Sequence, residues 1–217
     1  MLSFHSKKIL CISAHMDDFE IGCGALIAKI CHQCEIFVLC LSSCRKSFTG
    51  TIQEIRDIEE QYLSLDIFGI PRENCMINDQ IPGQLFPEYR QLILETLYHA
   101  DRKYNPDLIL VPSMNDIHQD HRTVAQSALK AFKRKSLLGY YIVNSSKGFE
   151  PNLYVSVDEE HIKTKARAVS AYRSQLSPSV TTADYFSYDV MKSIAVTYGV
   201  RAGQPFAEPF EIYLLKC

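Results

Sequence analysis

In the first half of the chain, short apolar or β-branched runs alternate with longer stretches of helical period, and this alternation constrains the fold more than any other feature. It is the pattern of βαβ units feeding a parallel sheet, because two parallel strands need a crossover connection that a helix fills. Strands are predicted at residues 8–14, 35–42, 74–78 and 107–112. Helices are predicted at 23–32, 87–103 and 121–135. Another starts near residue 51, runs through IQEIRDIEEQYLSLDIF and stops at Gly69 ahead of Ile70 and Pro71, a helix-stop signal. The second half departs from strict alternation, with strands at 138–143 and 153–157, helical segments at 159–175 and 185–198, and a last strand at 210–215. No repeat, low-complexity tract or Pro/Ser linker divides the sequence, so one α/β domain over residues 1–217 is expected. Its functional residues are expected beyond the carboxyl ends of the parallel strands, where the loops converge.

Composition narrows the function classes. With 47% hydrophobic and 22% charged residues, the chain can bury a core and is too apolar for wholesale disorder. A net charge of −2 without an extended basic patch argues against a nucleic-acid partner. The densest basic stretch, KAFKRK at 130–135, falls at a predicted helix end, where the helix dipole favours cations. The N-terminus lacks the apolar core and cleavage site of a secretory signal, and no segment reaches the roughly 20 apolar residues of a membrane span, so a cytoplasmic protein is expected. Eight cysteines sit in apolar contexts such as ILCIS and FVLCLSS and read as reduced, buried thiols. Cys31 and Cys34 have no second C-x-x-C to complete a zinc site and read as a helix end. Gly22-x-Gly24 lacks the third glycine of a dinucleotide fingerprint, Ile27 standing in its place. The cluster Tyr185, Phe186 and Tyr188 fits core packing at least as well as a sugar platform.

Two segments carry chemistry. The first, Ala14-His15-Met16-Asp17-Asp18-Phe19-Glu20, follows the run ILCIS and puts an imidazole and adjacent carboxylates at a strand's carboxyl end. Neighbouring side chains on a turning backbone point apart, so Asp17 and Asp18 cannot face one ion alike; one can ligate while the other faces its water. His15 and Asp18, three apart, meet if the chain turns helically after the strand. Gly22 and Gly24 then let the following helix pack close to the sheet. The second segment, Asn115-Asp116-Ile117-His118-Gln119-Asp120-His121, follows LILVPS and precedes the helical pattern RTVAQSALKAF. Either segment alone also fits an Asp-rich helix cap; two of them at strand ends point to a shared site. Catalytic zinc takes three N or O ligands and leaves a place for water, a requirement that two His and one Asp meet. Fe²⁺, Co²⁺ or Ni²⁺ also suit such donors. A bound ion of this kind brings the pKa of its water towards about 7 and polarises an amide carbonyl. A nearby carboxylate can then take the water's proton, and an imidazole can deliver one to the leaving amine.

These residues resemble the PIG-L/LmbE-like deacetylase family, whose motifs A-H-P-D-D-x-E and H-x-D-H appear here as AHMDDFE and HQDH. Arg56 and Glu59 in EIRDIEEQYLSLDIFG, Asp79 after the third strand, KARAVSAYRSQ and FAEPFEIY are similar to the same family, so the likeness covers almost the whole chain. The resemblance implies a Rossmann-like three-layer α/β sandwich with a mostly parallel sheet. It implies zinc held by His15, Asp18 and His121, with Asp17 as general base and His118 as general acid or oxyanion stabiliser. Asp120 would orient His118 and favour its charged form, as a neighbouring carboxylate does for an imidazole. Arg56 and Asp79 match positions near sugar-binding loops and are carried as substrate contacts. The implied reaction is hydrolysis of an N-acetylglucosamine-type amide, on a small or conjugated amino sugar, to free amine and acetate through water activated by Asp17. Two alternatives stay open: another amide, such as a thiol-sugar conjugate or a glycosylated natural product, and a non-catalytic sugar- or nucleotide-binding module on the same fold. A homo-oligomer is compatible with either. The match departs at Met16, which replaces a proline and loses its fixed φ, and at Asn115 and Asp116, which stand where some members carry a Tyr that assists at the carbonyl.

Overall fold

The computed structural model describes residues 7–45, 57–176 and 186–216. The first strand, β1 (Lys8–His15), is buried from Ile9 onward and mostly apolar because both its faces are covered: Ile9 and Cys11 enter one core layer, Leu10, Ile12 and Ala14 the other. It pairs in parallel with β2 (Glu35–Ser42) on one side and β4 (Leu108–Pro112) on the other. The short β3 (Cys75–Ile77) extends the sheet beyond β2, and β5 (Ser136–Tyr140) continues it beyond β4, all parallel. The antiparallel β7 (Ala207–Leu214) follows β5 and pairs with β6 (Leu153–Ser156), completing the order β3-β2-β1-β4-β5-β7-β6.

Six α-helices are present among the described residues: α1 (Asp18–Ile30), α2 (Ile58–Phe68), α3 (Arg90–Tyr104), α4 (Gln119–Ala131), α5 (Glu159–Val169) and α6 (Tyr188–Ala202). Phe19 and Leu26 of α1, Leu65 of α2, Ile162 of α5 and Met191 of α6 fill the core on one face of the sheet. Ile93 and Leu97 of α3 and Val124 and Ala128 of α4 fill the other, giving a three-layer sandwich. The strand order runs outward from β1 in one direction and then returns through β4 in the other. Such a reversal opens a crevice at the carboxyl ends of the two central strands. The predicted motifs follow those two strands. No helix among the described residues is long and apolar enough to cross a membrane.

Several boundaries differ from the periodicity reading. The first helix starts at Asp18 rather than residue 23, and Cys23 (φ −140°, ψ 17°) breaks it there, so the predicted start marks the kink. Its polar first turn and Gly22 and Gly24 hid the earlier turn from a pattern search. A Cβ on Gly22 would lie 2.0 Å from the Tyr140 ring, so this glycine does let the helix approach the sheet, whereas Gly24 faces Lys165 of α5 instead. The buried Glu208 of β7 bridges the kink: its carboxylate accepts the amides of Ala25 (3.2 Å) and Leu26 (2.7 Å) and pairs with Lys165 Nζ at 2.6 Å. The second helix is described from Ile58, capped by Asp57, and ends at Gly69 with φ 69°, as the stop signal predicts; residues 51–56 of the predicted helix lie outside the described residues. The predicted helix 159–175 ends at Val169, and a 3₁₀ turn, Arg173–Gln175, follows the fully buried Tyr172. Glu60 pins that turn by accepting the amide and hydroxyl of Ser174. Phe186 is core and Tyr188 donates its hydroxyl to Glu159, the packing role; Tyr185 lies outside the described residues.

Candidate active site

His15 is the last residue of β1, and the chain turns at once into α1. Asp17 takes a left-handed conformation (φ 95°, ψ −22°) and heads the helix, a strained state for a non-glycine residue that surrounding packing must hold. Met16, where the resembled motif has proline, is fully buried against Cys40 and Tyr172. Ser13 Oγ accepts the Phe19 amide (3.2 Å), and Asp18 Oδ2 accepts the His15 amide (2.8 Å), which closes the turn. Asp17 and Asp18 are both buried.

Across the crevice, the loop after β4 delivers His118, which caps α4, and Asp120 and His121 in its first turn. The two segments meet. Asp18 Oδ1 lies 3.4 Å from His121 Nε2, and Asp18 Oδ2 lies 3.8 Å from His15 Nδ1. The His118 ring stacks on His121 at 4.5 Å between centroids and stands edge-on to His15 at 4.9 Å. His15, Asp18 and His121 each bring a ligand atom within 4.8 Å of the others, all buried. His15, His118 and Asp120 form a second such group.

Asp120 stands beside both His15 and His118, with a ligand atom of each within 4.8 Å of its carboxylate, and its directed side-chain hydrogen bond goes to His15. Its carboxylate accepts the His15 Nε2 proton at 2.9 Å, while His118 receives only the Asp120 backbone amide, on Nδ1 at 3.2 Å. Burial, followed by the charges of His15 and His121, lowers His118 to about 4, and Asp120 offsets this only in small part. Burial would push the Asp18 carboxyl up, but the His121 and His15 imidazoles outweigh it and hold it well below the usual carboxylate range. Burial would likewise lower His121, yet Asp18 and Asp116 raise it to about 10.

Two neighbours went unassigned in the sequence. Asp116 Oδ2 lies 3.0 Å from His121 Nδ1 and accepts the hydroxyls of Ser145 and Ser146, each at 2.8 Å. Its position five residues before His121 was the available signal. Glu20, fully buried on the far side of the α1 turn, accepts Gln61, Ser64 and Tyr172 on one oxygen, and burial raises it to about 8. Asp79 stands on the same carboxyl edge, but its hydrogen bond comes from the Ser43 hydroxyl rather than from the imidazoles. Arg56 lies outside the described residues.

The donor set fits a divalent cation. Both ring nitrogens of the buried His121 face carboxylates, Asp116 at Nδ1 and Asp18 at Nε2, so two acids and an imidazole are packed where a cation would offset their charge. Two imidazoles and one carboxylate are the ligands that catalytic zinc and similar ions prefer.

Residues 10–132 match PIG-L, the GlcNAc-PI de-N-acetylase family. The chain belongs to that family. The match spans both motifs and the crevice between them. A diacetylchitobiose deacetylase of Thermococcus kodakarensis is 27% identical over 230 residues, covering 93% of this chain and 81% of the relative. The solved N,N'-diacetylchitobiose deacetylase of Pyrococcus horikoshii superposes with a TM-score of 0.74 at 21% identity, covering 95% of this chain and 84% of that one. GalB, the 4-carboxy-2-hydroxymuconate hydratase of Pseudomonas putida KT2440, shares the fold equally well (TM-score 0.74, 17% identity, covering 97% and 98%), so the architecture alone does not select an activity.

Proposed function

We propose that this PIG-L family chain is a cation-dependent N-deacetylase of amino sugars, cleaving an N-acetylglucosamine-type amide to free amine and acetate. The observation that carries this reading is the buried convergence of His15, Asp18 and His121, with Asp17 next to two of them on the turn. His15, Asp18 and His121 would hold the cation; zinc is the reading, and Fe²⁺, Co²⁺ or Ni²⁺ suit the same donors. When bound, such an ion polarises the amide carbonyl and makes water more acidic. Asp17 takes the proton of the attacking water, and His118, the one imidazole of the three that is only partly buried, delivers a proton to the leaving amine or steadies the oxyanion. Relatives that act on diacetylchitobiose support an N-acetylated sugar as substrate. Asp79 and Arg56 are carried as contacts to that substrate. A single domain, whose crevice is shared by both motifs, is part of the same reading.

The test is release of free amine from N-acetylglucosamine, diacetylchitobiose, a thiol-sugar conjugate and a glycosylated natural product by zinc-loaded protein. Turnover of the first two, with Asp17→Asn retaining zinc but losing about 10²–10⁴-fold in rate, supports the proposal. Zinc-loaded protein that releases no amine from any of the four sinks it, and preference for the last two would move the substrate assignment.

A further inference from the structure

The two histidines of the candidate cation site are arranged alike. Each ring is contacted by Asp18 at one nitrogen and by a second carboxylate at the other. His15 meets Asp18 through Nδ1 (3.8 Å) and Asp120 through Nε2 (2.9 Å). His121 meets Asp18 through Nε2 (3.4 Å) and Asp116 through Nδ1 (3.0 Å). Both outer carboxylates belong to the loop and first turn between β4 and α4, flanking His118.

We propose that Asp116 and Asp120 are a matched pair of positioning residues, each holding the ring of one cation-binding histidine so that its free lone pair faces Asp18. A neutral imidazole has one N–H and one lone pair, so a carboxylate that takes the N–H decides which nitrogen can ligate. Asp120 would keep the proton of His15 on Nε2 and leave Nδ1 to the cation. Asp116 would keep that of His121 on Nδ1 and leave Nε2.

Both carboxylates are themselves anchored, as an orienting group must be. Asp120 is fully buried and accepts the amides of Gln84 (2.6 Å) and Phe86 (3.2 Å) from the loop before α3. Asp116, 1% exposed, accepts the Ser145 and Ser146 hydroxyls and, on its other oxygen, the His118 amide (2.8 Å). Three separate loops thus converge on the two rings through these acids. Outer partners of this kind change cation affinity by about 10–100-fold when removed.

This inference rests on the functional reading above, in that His15, Asp18 and His121 bind a cation; it moves Asp120 from His118 to His15 and gives Asp116 a role. The experiment is competition of the full chain against a chromophoric zinc chelator, with the visible spectrum of the Co²⁺-loaded protein as a report of ligand geometry. Asp116→Ala and Asp120→Asn should each weaken zinc binding about 10–100-fold and alter the Co²⁺ bands. His118→Ala, which removes neither outer carboxylate, should leave zinc affinity within about 2-fold while lowering kcat. If Asp120 instead serves His118, Asp120→Asn will match His118→Ala, with zinc affinity kept and kcat reduced, and that result overturns the proposal. Should Asp116→Ala fail to fold, Ser145→Ala/Ser146→Ala leaves the acid in place but takes both hydroxyls from the oxygen that faces His121. A loss of zinc affinity smaller than that of Asp120→Asn, with shifted Co²⁺ bands, then supports the role of Asp116, and unchanged bands and affinity contradict it. No zinc binding by the wild-type chain overturns both readings, whereas tight binding unaffected by either acid overturns this one alone.

Discussion

Replacing Glu208 by Ala is the perturbation that most sharply separates what holds the fold from what performs the chemistry. The side chain comes from β7 but finishes a helix in another layer, taking the two amides that the kink at Cys23 leaves free and the ammonium of Lys165. Its removal strands a buried cation, and breaking a buried ion pair from one side costs about 3–5 kcal/mol. At roughly 2–4 °C per kcal/mol for a domain of this length, the melting temperature should drop by about 6–20 °C. Lys165→Met should cost less, because the carboxylate keeps two backbone donors next to a helix start. Urea denaturation of both variants, monitored by far-UV circular dichroism, measures the difference. An Ala variant within about 1 kcal/mol of wild type, or a Met variant that is the worse of the two, would refute the capping role of Glu208.

Gly22→Ala should destabilise by about 1–3 kcal/mol or more, since its Cβ would stand 2.0 Å from a Tyr140 ring carbon; thermal melts check this, and a neutral result would mean that α1 does not press on β5. Tyr172→Phe removes one of three donors to Glu20 and should cost about 1–3 kcal/mol in urea while leaving zinc affinity unchanged. Hydrogen bonds from the Lys192 ammonium and Tyr188 hydroxyl to Glu159 hold its carboxyl down to about 2 from 4.5. Because the folded value lies below the unfolded one, that contribution to stability is present above pH 4.5 and is lost as pH falls towards 2. The gap in urea midpoint between wild type and Lys192→Met should therefore close between pH 5 and 2, and a gap that widens in acid contradicts the pairing.

The parallel half of the sheet was legible because its strands are apolar on both faces, as in ILCIS and LILVP, so short runs bounded by polar motifs stood out. The residues brought together in the crevice were legible for a related reason: each motif follows directly on such a strand. Helix starts were less visible. Asp18 and Glu20 in the first turn of α1 look like loop residues until one sees that Asp18 closes on the His15 amide and Glu20 collects donors from α2 and Tyr172. The apolar period runs on past the end of α5 at Val169 because Tyr172 continues it, although its hydroxyl serves a tertiary contact with Glu20. The hydrogen bond between Asp120 and His15 is out of reach of sequence spacing, since the two residues lie 105 positions apart. Asp116 is hidden for the same reason: its anchors, Ser145 and Ser146, lie after β5 in a stretch with no motif of its own.

The central claim is that one divalent cation joins the end of β1 to the start of α4, and diffraction at the zinc absorption edge from crystals grown with zinc tests it most directly. The account requires a single anomalous peak per chain at about 2.0–2.2 Å from a nitrogen of His15, an oxygen of Asp18 and a nitrogen of His121. A fully occupied peak elsewhere, with these three side chains left unliganded, would contradict it.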